Sequence, residues 1–441
     1  MKLEYVPYRQ LKKLLDRPAL LADACRINAL YMVSLAGRGH LGTSLSSMEA
    51  IVAIRHLMKD GDLFLSSKGH DSVAQYAVLI AHGILPEEML HEFRRSMPGH
   101  PTVEVKGIVA NTGSLGMGLS KAAGLAMNTS GTVYVLLGDG EMMEGQNWEA
   151  AMWAGRHKSN VVAVVDVNGL SQDGPAFSLP HNIQYMFVAA GWDTFNVSRA
   201  NEYENVEQVL LDLDIYKRRP AAILLRTTKG SGVREMEGKV ESHVGPPHDY
   251  AWALAGLKAK LPSDTEYVIS DIDFTIPEKT PHPLYGVFAE SLRHHMQQDE
   301  RVVFVGMDTM RDLGVYDLQK EFPGRVIDCG IAEQHGISLA SALALSGKRP
   351  VVGTYASFLR RGAEQVYNQV TENTGVVYVG TMAGLLPDNG PGVSHESLDD
   401  LEWMGELMET YEPATADEVV ASLDSALAST HSSYIRLREV V

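Results

Sequence analysis

Residues 133–174, VYVLLGDGEMMEGQNWEAAMWAGRHKSNVVAVVDVNGLSQDG, decide the fold. The first apolar run ends at Leu137, Gly138-Asp139-Gly140 makes a turn, a helical stretch continues to about His157, and a second β-branched run ends at Asn168. Strand, turn, helix and strand in this order predict a βαβ unit in a parallel sheet. Such sheets bind ligands at the carboxyl ends of adjacent strands, so Asp139 and Asn168 are expected to converge there. Two hard oxygen donors facing one point suit Mg²⁺ or Ca²⁺, and a diphosphate held beside them would need such a cation to offset its charge. Gly138 and Gly140 are expected to leave backbone amides open to phosphate oxygens near a helix N-terminus. GDG alone reads as a βα turn with an acidic N-cap, and the Asn168-Gly169 pair at this spacing favours the ligand site.

Outward from this unit the same alternation recurs. Short β-branched runs at 132–138, 161–167, 221–226, 302–307, 351–354, 376–379 and 434–437 lie between longer helical segments, which predicts parallel sheets covered by helices. Between them the stretch LPSDTEYVISDIDFTIPEKTPHP carries four prolines and no amphipathic period, and reads as a linker. The expected organisation is one α/β domain at 1–262, a linker at 263–283 and a second α/β domain at 284–441. A chain of 441 residues, 45% of them apolar, has the material for two or three cored domains of roughly 100–200 residues.

A net charge of −17 argues against nucleic acid or a membrane surface as a general partner, since both are polyanionic. Cys25 and Cys329 lie in separate regions without metal-ligand spacing, so no disulfide framework or thiolate site is expected. The N-terminus MKLEYVPYRQLKKLL lacks an apolar signal core, and no run reaches the roughly 18 uninterrupted apolar residues of a membrane span. A cytoplasmic location is the expectation.

GDG followed at this distance by an asparagine resembles the thiamin-diphosphate signature, and the continuation EGQNWEAAMWAG resembles transketolases. The resemblance covers nearly the whole chain. It implies two doubly wound parallel-sheet domains, diphosphate-binding and then pyrimidine-binding, with thiamin diphosphate held through Mg²⁺ or Ca²⁺. Asp139 and Asn168 would coordinate the metal by side chains and Leu170 by its main-chain carbonyl. GRGHLGTS, SSKGHDS, MPGHP and VESHVG match the transketolase histidines in order. By that resemblance His70 faces the cofactor diphosphate, while His40, His100 and His243 line the substrate channel. Imidazoles suit the work, because ketol transfer needs groups that bond hydroxyls and move protons near neutral pH. NTGSLGMG resembles the loop in which Gly113 and Leu115 contact the aminopyrimidine. Glu144 and Glu149 resemble the carboxylate pair that links paired cofactor sites.

In the second domain IAEQH followed by a small-residue helix and YASFLRR resembles the pyrimidine-binding domain of transketolases and deoxyxylulose-phosphate synthases. Glu333 is then the catalytic glutamate, since the cofactor's 4′-amino group must be made basic by a carboxyl at the pyrimidine ring. Without that context, Glu333 is a first-turn glutamate favoured by the helix dipole. Phe358 resembles the residue stacking on the pyrimidine, with Tyr355 and Arg361 to either side.

The pattern departs at four places. DGPTH appears as DNGPGVSH, so His395 follows an insertion and Asn389 stands at the acceptor-binding aspartate. No arginine near Pro283 matches the sugar-phosphate ligand, although Arg438 resembles an acceptor-phosphate contact. Val244 follows His243 where glycine is common. The match ends at Val441, so the third domain of full-length transketolases is expected to be missing. The implied activity is transfer of a two-carbon ketol unit from a ketose or hydroxypyruvate-type donor to an aldehyde, by a homodimer with cofactor sites at the chain interface. A pyruvate-decarboxylating synthase, or one subunit of a larger thiamin-dependent complex, is the alternative.

Overall fold

The computed structural model describes residues 2–177, 180–213, 220–272, 282–386 and 390–438. Strand side chains alternate between faces, and the apolar runs use that period. Val133, Val135 and Leu137 join one apolar cluster, whereas Leu136 joins another. In the next strand Val161, Ala163, Val165 and Val167 go with the former, Val162 and Val164 with the latter. A strand that is apolar on both faces needs helices on both, the arrangement of a parallel doubly wound sheet.

The first sheet has five parallel strands in the spatial order Leu63–Ser66, Val133–Gly138, Val161–Val167, Ala221–Arg226 and Asp193–Val197. The second has six parallel strands, Glu409–Tyr411, Ser433–Arg438, Val377–Ala383, Arg349–Tyr355, Val302–Gly306 and Val326–Asp328. It shows the same alternation: Val351, Val377 and Val379 enter one cluster, Val352 and Tyr378 the other. Over their described residues, Met1–Ser171, Pro175–Pro277 and Asp388–Pro391 form one compact unit. Gln172–Gly174, Glu278–Pro387 and Gly392–Val441 form the second.

The stretch expected as a linker is not all extended chain. Val268–Ile269 pairs antiparallel with Glu4–Tyr5, and Glu266 bonds Arg9 at 2.6 Å and Lys13 at 2.9 Å. Its proline-rich part, 273–281, lies outside the described residues. Among the described residues one helix, Pro18–Ala36, is long and apolar enough to cross a bilayer, but 72% of its most apolar window is buried in the fold. It also carries buried Arg26, paired with Glu49 at 2.5 Å. Those are the properties of a core helix. Cys25 and Cys329 are buried and free.

Candidate active site

Four neighbouring strands of the first sheet deliver polar side chains at their carboxyl ends. Lys68 and His70 follow Leu63–Ser66, Asp139 follows Val133–Gly138, Asn168 follows Val161–Val167, and Lys229 follows Ala221–Arg226. Register places Gly138 opposite Asp166, which brings the Asp139 and Asn168 loops together. Asp139 Oδ2 accepts the Gly169 amide at 2.6 Å and Oδ1 the Gly140 amide at 2.8 Å. Asn168 Nδ2 donates to Asp166 Oδ2 at 3.4 Å, and its Oδ1 accepts the Leu170 amide at 3.0 Å. Burial, then the Asp166 charge, pushes the Asp139 carboxyl up to about 6.

A buried carboxylate with an anionic neighbour calls for a cation. Among the described residues, no three His, Cys, Asp or Glu side chains gather as a metal set. An ion here would draw on Asp139, the Asn168 oxygen, a carbonyl such as that of Leu170 and the oxygens of a bound diphosphate. This all-oxygen set fits Mg²⁺.

The turn amides do not stand open as expected. Gly140 donates to Asp139, and Gly138 donates to Glu141 Oε2 at 3.1 Å. The 3₁₀ helix Gly140–Met143 folds the Glu141 carboxylate back over the turn. Buried Glu141 also accepts the Gly116 amide at 2.8 Å and the Ser67 hydroxyl. It thereby ties the turn to the loop of Gly113 and Leu115. Glu144 is buried against Gly116, where a Cβ would stand 2.6 Å from its own, whereas Glu149 is exposed on the chain. Gly69 has φ +64°, and a Cβ there would lie 2.6 Å from the Gly113 amide nitrogen. Glycine alone lets the His70 loop lie against Gly113.

Behind the turn, Lys68 and Asp166 form a buried pair at 2.6 Å. Ser46 and Ser47 hydroxyls donate to the same carboxylate oxygen at 2.7 and 3.1 Å. Burial alone would raise Asp166, but the Lys68 ammonium, with the hydroxyls of Thr227 and Ser46, holds it below the usual carboxylate range.

The four loop histidines come together. Ring centroids of His40 lie 5.8 Å from His70, 5.3 Å from His100 and 5.3 Å from His243, and His70 lies 5.5 Å from His243. Gly42 makes this possible, because its backbone runs so close to Ser242 that a Cβ would sit 2.2 Å from the Ser242 carbonyl oxygen. Amides of Gly230 and Gly245 bond the carbonyls of Gly42 and Gly39, both at 2.8 Å. Burial, then crowding by neighbouring cations and rings, holds His40, His70 and His243 well below the ordinary histidine range. Burial brings His100 to about 4. At neutral pH each is an uncharged imidazole with one donor and one acceptor.

In the second unit Glu333 begins the helix Glu333–Leu345 after the strand Val326–Asp328. It is buried, its Oε2 accepts no hydrogen bond among the described residues, and Arg361 Nη1 pairs with that oxygen at 3.8 Å. Tyr355, the last residue of its strand, packs with Phe358 and His395 at centroid separations of 5.0 and 5.8 Å, and Phe358 lies 5.1 Å from His395. The Tyr355 hydroxyl donates to Asp312. A buried carboxylate oxygen that accepts no hydrogen bond among the described residues and an aromatic group within one unit fit a flat nitrogen heterocycle. Asn389 lies outside the described residues, and Arg438 bonds Glu412 at the end of its strand.

Sequence reasoning did not single out Lys68, Glu141, Asp166 or Lys229. Lys68 and Asp166 each stand two positions before a residue that was named, and a buried strand-end charge there was the available signal.

Residues 18–279 match the family described as transketolase, thiamine diphosphate binding domain, and residues 284–440 match the transketolase pyrimidine binding domain. The chain belongs to the transketolase family. It is 30% identical over 427 residues to transketolase-like protein 2 of Homo sapiens, covering 86% of this chain and 67% of that protein. Mouse transketolase gives 30% over 433 residues with the same coverage. One of the subunits of the apulose-4-phosphate transketolase of Phocaeicola vulgatus is 35% identical over 249 residues, 52% of this chain and 88% of that protein. Among solved structures, a transketolase mutant from Pichia stipitis superposes with TM-score 0.53 at 21% identity, covering 97% of this chain and 78% of that one. The Campylobacter jejuni transketolase gives 0.52 at 21% identity, with 98% and 78% covered. These two likenesses speak to the fold. As a transketolase-family chain, the protein carries both thiamin-diphosphate-binding domains, in the expected order and as parallel-sheet α/β folds.

Proposed function

We propose that this transketolase-family chain transfers a two-carbon ketol unit from a hydroxylated ketose or hydroxypyruvate-type donor to an aldehyde acceptor. The observation that carries the reading is the four-histidine cluster, with ring centroids 5.3–5.8 Å apart, in the unit that also holds the Asp139–Asn168 turn. Four uncharged imidazoles present donors and acceptors for the hydroxyls of a polyol, which a site for a bare methyl ketone would leave unpaired at a cost.

Thiamin diphosphate, when bound, supplies the electron sink for breaking and remaking a carbon–carbon bond beside a carbonyl. Asp139, Asn168 and the Leu170 carbonyl would hold Mg²⁺ against the diphosphate, with Gly138 and Gly140 nearby and His70 facing it. Gly113, Leu115, Tyr355, Phe358 and Arg361 would frame the aminopyrimidine. Glu333 would hold a proton at the pyrimidine ring through Oε2, the oxygen that accepts no hydrogen bond among the described residues. His40, His100, His243 and His395 would orient donor and acceptor and move their protons.

The same proposal places the enzyme in the cytoplasm as a homodimer, each site combining the diphosphate half of one chain with the pyrimidine half of its partner. A second reading, a chain that works together with a different one, draws on its likeness to a protein named as one subunit of a transketolase. The deciding experiment offers thiamin diphosphate, Mg²⁺ and an aldehyde panel with hydroxypyruvate, a ketose phosphate or pyruvate. Turnover of hydroxylated donors alone supports the proposal. Turnover of pyruvate alone would replace it with the decarboxylating synthase. A requirement for a co-purifying chain would favour the second reading.

A further inference from the structure

Two histidines of the cluster are held by partners of opposite kinds. Buried Lys229 has its Nζ 2.9 Å from the Ser171 carbonyl oxygen and 3.0 Å from His243 Nδ1. An ammonium has three donors and no acceptor, and a carbonyl only accepts. The His243 Nδ1 that meets this ammonium must therefore offer a lone pair. Burial and the Lys229 charge keep the ring uncharged, so its one proton sits on Nε2. His100 is the reverse case. Its Nδ1 lies 2.7 Å from the Pro391 carbonyl oxygen, in the same unit. That nitrogen must carry the proton, and Nε2 is left as the acceptor.

We infer that Lys229 is a positioning residue that locks His243 as a hydrogen-bond donor, so that His243 donates to a substrate oxygen while His100 accepts from a substrate hydroxyl. An α-hydroxyketone carries this complementary pair, a carbonyl oxygen that only accepts and hydroxyls that donate. The other His243 tautomer would point an N–H at an ammonium, two donors facing each other with no acceptor between. The identity of the ligand rests on the ketol-transfer reading. The two tautomers are properties of the chain itself.

The test reads the ring nitrogens directly, by ¹⁵N NMR of the full chain labelled at histidine, with His243→Gln and His100→Gln for assignment. Before any ligand is added, His243 should show a bare Nδ1 and a protonated Nε2, and His100 the opposite. Lys229→Met should move His243 to a mixture of tautomers and leave His100 unchanged. Lys229→Arg, which keeps a cationic donor, should restore the original pattern, and circular dichroism checks that both variants are folded. A proton on His243 Nδ1 in the unaltered chain, or an unchanged pattern in a folded Lys229→Met chain, overturns the inference. In the second arm, hydroxypyruvate is the probe, and Lys229→Met should raise its KM roughly tenfold or more with a smaller change in kcat. If the unaltered chain turns over no hydroxylated donor, the functional reading fails while the nitrogen spectra still decide the role of Lys229.

Discussion

Among the described residues, one buried oxygen of Glu333 accepts no hydrogen bond and has only the Arg361 guanidinium at 3.8 Å, and a buried acceptor left without its bond costs a fold up to about 1–3 kcal/mol. An acceptor left open in this way belongs to a site that a ligand completes. Glu333→Gln keeps the shape but cannot relay a proton. It should bind thiamin diphosphate with affinity changed less than about tenfold, yet slow exchange of the thiazolium proton by about 10²–10⁴. Calorimetry and proton-exchange NMR measure the two quantities, and exchange at the unaltered rate would remove Glu333 from the chemistry. Lys68 tests the scaffold beneath the site. Both it and Asp166 are 1% exposed, so Lys68→Met leaves a buried charge without its counter-ion. The cofactor-free chain should lose about 3–5 kcal/mol in urea denaturation. A loss under about 1 kcal/mol would mean that the hydroxyl donors alone satisfy Asp166.

At the scale of elements, the histidine cluster depends on how closely the short helix Leu41–Ser46 approaches the 3₁₀ helix Val240–His243. Gly42→Ala places a methyl 2.2 Å from the Ser242 carbonyl oxygen. A backbone atom cannot swing aside as a side-chain end can, so the two elements must separate. Overpacking of this kind costs about 1–3 kcal/mol. The histidines at positions 40 and 243 would move apart with it, so KM for the donor should rise along with the loss of stability. A stable Gly42→Ala chain with unchanged donor KM would show that the cluster tolerates a wider spacing.

For the whole molecule, buried neutral histidines make stability depend on pH in a definite sense. The unfolded chain protonates His100 from about pH 6.5 downward, whereas the folded chain resists until about 4. Between those values the unfolded state binds more protons, so stability falls as pH falls. The full loss from His100 is on the order of 3 kcal/mol. His82, which burial also brings to about 4, is partly exposed and adds less. Urea midpoints of the cofactor-free chain should decline from about pH 7 to about pH 5, and His100→Gln should flatten part of the slope. The buried Asp139 carboxyl, raised to about 6, works in the opposite sense, so the deciding quantity is the difference between the two chains, and an identical slope in His100→Gln would contradict the burial argument. Assembly is tested by mixing inactive Asp139→Ala chains with inactive Glu333→Gln chains. A homodimer with shared sites should regain up to about one intact site per mixed dimer. Demonstrated exchange of chains without any activity would exclude that arrangement.

How far the sequence reaches depends on how evenly each segment is buried. Strands such as Val161–Val167 are covered on both faces, so their residues are apolar throughout and the run announces itself. In the two parallel sheets the pattern did not show Leu63–Ser66, Asp193–Val197 and Glu409–Tyr411, all edge strands. They are short and only partly buried, so their sequences carry little apolar period. The site divides along similar lines. Asp139 and Asn168 were expected from their places after strand ends, whereas Glu333 and the four histidines were picked out by the resemblance of their motifs, since on residue type and loop alone they read as a first-turn carboxylate and solvated rings. Which groups orient them was not legible. Lys68 meets Asp166, Glu141 meets Gly116, and Lys229 meets His243 only after parallel strands set their carboxyl ends side by side. The order of residue types by itself determined the α/β alternation and the two domains. Tertiary structure alone decided which donor faces which acceptor, because a hydrogen bond depends on distances of tenths of an ångström between residues far apart in the chain.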